Sequence, residues 1–267
     1  MRRPSRTRRP RPAPLPGPDR VLTRFLPGEC AHTSTPPTPP TQLDLCSLAS
    51  VAEAAETFKS RHKALHLLIN NAAVMGTAFA TTPDGFEEQM AATHFGHFAS
   101  TGHLIELLRA SAPARVVTVS SMMHEYSGEL DLENINAQRS AWSIYCNAKL
   151  ANLLFTLELK KRLVGTGVLA VAAHPGYTAT NLQYGAGPAV LMAVLNGLMA
   201  QDVTVGAQPL LYAALGEDID SGDYCGPAGM MSGPATKCKR AKLAEDEAAA
   251  AKLWAKSAEL TKMDYLS

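Results

Sequence analysis

At 267 residues the chain has room for one α/β domain with a buried core. Its 46% hydrophobic and 18% charged residues are ordinary for a globular protein. The balance of 25 Lys+Arg against 24 Asp+Glu excludes a global electrostatic pull toward nucleic acid or an anionic membrane. Residues 1–42 differ in kind from the rest: arginine stands at 2, 3, 6, 8, 9 and 11, and proline is dense. Proline removes backbone donors and blocks helix interiors, so the segment reads as a disordered Arg/Pro-rich tail, or as an N-terminus wrongly joined to the gene. A transit peptide or a nucleic-acid-binding arm is the other reading. Within the segment, 20–26 has the composition of a short strand.

A regular pattern starts at Leu43. Ser47 is placed to cap a helix over 50–59. Residues 65–69 form a short apolar run typical of a buried strand. A helix follows over 85–109, then a β-branched strand over 114–119. Residues 140–163 have helical periodicity, with Leu150, Leu153, Leu154, Leu157 and Leu159 available for a core stripe. A third strand covers 168–173, and the Ala/Glu/Lys-rich stretch 242–259 predicts a helix. Strands alternating with helices imply a doubly wound parallel sheet. No apolar run reaches the roughly 18 residues of a membrane span, and 188–199 reads as a buried or substrate-covering helix. The 5 cysteines form no C-x-x-C pair, which speaks against a zinc site or disulfide framework and for a reducing compartment.

Several polar groups fall at the carboxyl ends of these strands, where open parallel sheets bind ligands. Tyr145 and Lys149 share one helix face. An ammonium beside a phenol favours the phenolate, which suits the pair to acid–base work; the same spacing also fits an amphipathic helix with a surface lysine. Ser120 and Ser121 end a strand, where a hydroxyl either orients a carbonyl or satisfies free backbone donors. Asn70-Asn71-Ala72-Ala73 permits close approach to a ligand or makes a plain turn. Pro175-Gly176 is a turn or a pocket wall, and Thr178 and Thr180 beyond it can hold an amide or a phosphate.

Taken in order, Asn70–Ala73, Val119-Ser120-Ser121, Tyr145-x-x-x-Lys149 and His174-Pro175-Gly176 resemble the short-chain dehydrogenase/reductase family over about 43–267. Asp84–Glu88, His94–Phe98 and Ala148–Asn152 are similar to its retinol dehydrogenase-like branch. Within that branch, 253–261 and Pro18-Asp19-Arg20-Val21 look like the ends of a polyprenol dehydrogenase. The resemblance implies a Rossmann-like fold whose N-terminal strand–helix units are incomplete. It implies an NAD- or NADP-dependent oxidoreductase acting on an apolar alcohol (retinoid- or polyprenol-like) and its aldehyde or ketone. Tyr145 is then the general acid or base. Lys149 lowers its pKa and binds the nicotinamide ribose, and Ser121 positions the reacting oxygen. Asp44, Asn71, Ala72, Pro175, Gly176 and Thr178 are the further cofactor contacts. Residues 122–144 become a substrate loop and 185–202 a lid. The expected partners are the small substrate and no nucleic acid, with peripheral membrane or lipid-droplet contact and a homodimer as further expectations. The expected location is cytoplasmic or on the endoplasmic reticulum and lipid droplets.

Two positions depart from the family pattern. Only Gly17 and Gly28 precede Gly76, so the Thr-Gly-x-x-x-Gly-x-Gly phosphate loop is missing, and Pro27-Gly28-Glu29 sets a negative charge where phosphate would sit. Thr93 stands where the family has an Asn that holds a helix kink and a relay water. These departures carry the alternative reading: a catalytically impaired or inactive truncated member acting as an interaction module. They also predict that the strand at 65–69 becomes an exposed edge and weakens the fold, unless residues 1–42 cover it.

Overall fold

The computed structural model describes residues 21–22, 42–178 and 202–267. Six strands form one sheet in chain order: β1 (Val21–Leu22), β2 (Leu67–Asn70), β3 (Ala114–Val119), β4 (Val168–Ala173), β5 (Tyr224–Pro227) and β6 (Ala235–Lys237). All neighbours are parallel except β5 and β6. The expected Rossmann-like α/β architecture is therefore the one observed. The edge at β2 is partly covered from within residues 1–42, the exception allowed above: β1 pairs with β2, Val21 against Leu67 and Leu22 against Leu68. Thr180 and residues 179–201, which include the proposed 188–199 helix and nearly all of the lid, lie outside the described residues.

The helices among the described residues are α1 (Leu48–Arg61), α2 (Glu88–Met90), α3 (Gly96–Ala110), α4 (Ala141–Arg162), α5 (Val203–Leu215) and α6 (Glu247–Thr261). Ser47 caps α1 as expected, its side chain accepting from the Ser50 amide. Strand alternation divides the core. Leu68, Val116 and Ala170 face Phe58 of α1, Phe98 of α3, Phe155 of α4 and Trp254 of α6. Leu67, Val117 and Val171 face Ala213 and Ala214 of α5. Helices thus cover both faces, and burial of these apolar side chains at ~25 cal/mol per Å² is the main driving force. Among the described residues, no helix is long and apolar enough to cross a membrane.

Three elements differ from expectation. The helix over 85–109 is broken by a π-turn at Ala91–Phe95 between α2 and α3. The break sits beside a close approach: a Cβ on Gly96 would lie 2.4 Å from the Leu45 carbonyl oxygen. The C-terminal helix begins later, after a 3-10 turn at Lys242–Glu245, because Asp246 accepts from the Ala248 and Ala249 amides and caps α6 there. Strands β5 and β6 and helix α5 extend the sheet beyond the elements the pattern indicated.

Candidate active site

Strand β3 delivers Ser120 and Ser121 to its carboxyl end. The Ser120 hydroxyl donates to the Lys149 carbonyl at 2.7 Å, tying β3 to α4. Ser121 is extended (φ −158°, ψ 157°) and caps a 3-10 turn, Met122–Tyr126, its Oγ accepting from the Met123 amide at 3.2 Å. Helix α4 starts behind Ser140, whose hydroxyl accepts from the Ser143 amide. It is buried between the sheet, the π-turn and α6, so its buried set includes Lys149, Asn152 and Thr156 as well as the leucines. Tyr145 and Lys149 lie one turn apart, the Lys149 Nζ 5.5 Å from the Tyr145 ring centroid. That Nζ donates to the Val119 carbonyl at 3.1 Å, the last residue of β3. The Ser121 hydroxyl lies close enough to the Tyr145 phenol to act on its ionisation. Ser121, Tyr145 and Lys149 are thus brought together at one strand end.

The electrostatics differ from expectation. Burial pushes the Tyr145 phenol up to about 12, and the nearby Ser121 hydroxyl pulls it partly back. Burial pushes Lys149 down to about 7. Lys149 does not depress the phenol in this form, because an ammonium in an apolar site gives up its own charge more readily. At neutral pH the phenol holds its proton.

A second polar chain went unnoticed in the sequence. Asn152 Nδ2 donates to the Val119 carbonyl at 3.1 Å, the same oxygen that Lys149 uses. The Asn152 Oδ1 faces His94 Nδ1 at 3.3 Å, so that nitrogen carries the ring proton. His94 Nε2 is then the acceptor for the Ser257 hydroxyl at 2.9 Å. The chain runs from α6 through the π-turn to the end of β3. Both His94 and Asn152 lie in segments that carry the family likeness, but only the fold pairs them with Ser257. Beside them, the π-turn places Thr93 fully buried with its hydroxyl unpartnered. The π-turn therefore forms with Thr at this position.

The remaining predicted residues line neighbouring strand ends. Asn71 is exposed and Ala72 half-buried after β2. His97 Nε2 donates to the Ala72 carbonyl at 2.8 Å and fixes that wall. After β4, Gly176 has φ 73°, a left-handed conformation that favours glycine. The Thr178 hydroxyl donates to the Pro175 carbonyl at 3.2 Å. A Cβ on Gly206 of α5 would lie 2.3 Å from the Thr178 Oγ1, so that glycine permits the packing. Asp44 is exposed ahead of α1, and its Oδ1 accepts from the Cys46 amide at 2.9 Å.

These groups fit the nicotinamide half of a dinucleotide. The Gly176 turn offers a side-chain-free wall, and Lys149 is a buried amine bonded to one carbonyl with further N–H donors to offer. The phosphates would fall after β1, and residues 23–41 there lie outside the described residues.

A family profile described as short chain dehydrogenase matches residues 29–189. Retinol dehydrogenase 12 of Homo sapiens is 39% identical over 212 residues, 77% of this chain and 64% of that protein. Retinol dehydrogenase 13 of Homo sapiens is 38% identical over 209 residues, 74% of this chain and 61% of that protein. The chain therefore spans a little less than two thirds of the length of these relatives. The crystal structure of an uncharacterised protein from Mycobacterium paratuberculosis superposes with a TM-score of 0.69 at 39% identity, covering 84% of this chain and 75% of that one. The active-site complex of Pseudomonas aeruginosa RhlG with NADP shares the fold at a TM-score of 0.52 and 24% identity, covering 69% of this chain and 73% of that one.

Proposed function

The chain belongs to the short-chain dehydrogenase/reductase family, and from that premise we propose that it interconverts an apolar alcohol and its aldehyde or ketone using NAD or NADP. The observation that carries the proposal is the convergence of Ser121, Tyr145 and Lys149 at the end of β3. A bound nicotinamide supplies or accepts the hydride. Tyr145, protonated at neutral pH, gives its proton to the oxygen of a reacting carbonyl. Ser121 Oγ, aligned by the Met123 amide, donates to the same oxygen. Lys149 stands one turn below with donors for a ribose.

Retinol dehydrogenase relatives and the site's rim support an apolar, retinoid- or polyprenol-like substrate. Met122 and Met123 follow Ser121 directly and are half-buried. Trp142 lies one turn before Tyr145, its ring 6.4 Å away, and is 49% exposed. A long alkyl chain laid on these groups leaves water at ~0.8 kcal/mol per CH₂. Purified protein is expected to oxidise or reduce a homologous series with kcat/KM rising up to about fourfold per added methylene. Trp142→Ala should cost about tenfold for long substrates and under about twofold for the shortest. No turnover with either nicotinamide, followed by reduced-nicotinamide absorbance, would sink the reading.

A second reading, an inactive family member acting as an interaction module, is favoured by one feature. Pro27-Gly28-Glu29 replaces the glycine-rich cradle that phosphates need.

A further inference from the structure

We propose that His124 is a positioning residue that fastens Ser121 to the C-terminal segment, so that the serine is held from behind by groups that touch no reacting atom. The inference rests on the reading of Ser121 given above.

The ring's hydrogen bonds fix its tautomer. His124 Nε2 faces the Ala241 amide at 3.0 Å, and an amide can only donate, so Nε2 carries no proton. In the neutral ring the proton is on Nδ1, which donates to the Ser121 carbonyl at 2.6 Å. The His124 main-chain amide reaches the same carbonyl at 3.1 Å. With the Met123 amide on Ser121 Oγ, both polar ends of the serine are held within one turn.

The other side of the clamp is firm. Ala241 follows β6, which pairs with β5, and opens the turn leading into α6. The His124 ring stands at 90° to Tyr224 of β5, with centroids 5.6 Å apart, and His124 is 1% exposed. Tyr224 packs in turn on His174, with centroids 5.1 Å apart. Glu125 and Arg240 are the charged groups that act on the ring, and burial is the largest influence, lowering its basicity. The imidazole therefore stays neutral near neutral pH and keeps both bonds.

A residue that acts through Ser121 loses its effect when Ser121 is already disabled. His124→Gln keeps an acceptor for Ala241 but removes the donor to the Ser121 carbonyl. It should lower kcat about tenfold in the otherwise native protein, with KM for the nicotinamide unchanged, and under about twofold in the S121A background. Equal losses in both backgrounds would mean a general structural role and overturn the proposal. A nitrogen-15 spectrum of the imidazole rings, with the His124 signals assigned by their loss in H124Q, gives a readout independent of turnover. It should show a protonated Nδ1 and a bare Nε2, and a protonated Nε2 would overturn the proposal. If the native chain has no turnover, the functional reading falls, and that spectrum alone decides the fastening.

Discussion

Tyr145→Phe should lower turnover by about 10²–10⁴-fold and leave the fold intact. The substitution removes one oxygen from a ring that is 4% exposed and otherwise packed in the core. Ser121 keeps the bond that its Oγ accepts from the Met123 amide. The lost oxygen is the one that moves the proton, and with it goes the acid that matches the substrate's developing charge. Initial rates and thermal melts of both proteins, side by side, check this. Unchanged turnover would show that the phenol is not the acid, whatever its position. A large fall in melting temperature would show that the hydroxyl acts mainly in structure.

Mild acid should destabilise this protein through two buried histidines. His94 and His174 are both pushed down to about 4 by burial, His174 also by its neighbour His124. The unfolded chain binds protons with the ordinary histidine pKa near ~6.5, so below that value it holds more protons than the folded chain does. Stability is therefore full above the unfolded pKa and drains away as pH falls toward the folded one. Each ring contributes a loss of roughly 2 kcal/mol between pH 7 and pH 5. Against a total of ~5–15 kcal/mol that is a large fraction. The cause is visible in the packing. Both His94 nitrogens are already engaged by Asn152 and Ser257. His174 Nδ1 accepts from the Gly176 amide at 3.3 Å, and a Cβ on Gly226 would lie 1.9 Å from its Nε2. Urea titrations at the two pH values should show His94→Gln losing about 2 kcal/mol less than the native chain. An equal loss in the two proteins would clear His94.

The parts of this site that were legible in the sequence are those carried by local periodicity. The β-branched run 114–119 forms β3, and the helical periodicity over 140–163 forms α4. The spacing of Tyr145 and Lys149 puts them on one face, and a strand end brings Ser121 to them. What was illegible depends on long-range pairing. His94 meets Ser257 from 163 positions away, and His124 meets Ala241 from 117. The π-turn at Ala91–Phe95 adds one residue to a helix without disturbing its composition, so the periodicity ran straight through it. Strand β5 is Tyr-Cys-Gly-Pro, and Gly and Pro suppress any strand signal; pairing with β4 and β6 makes it a strand. The phenol's pKa rises rather than falls because burial acts on it, and spacing shows a neighbouring lysine but not how dry both groups are.

On the proposed function this chain, with its unusual first forty residues, should still hold a nicotinamide dinucleotide against Tyr145 and Lys149. Calorimetric titration of NAD and NADP into the native protein tests it most directly. Saturable binding of one dinucleotide per chain is expected, weakened in Lys149→Met. Heat of dilution alone for both dinucleotides would contradict it.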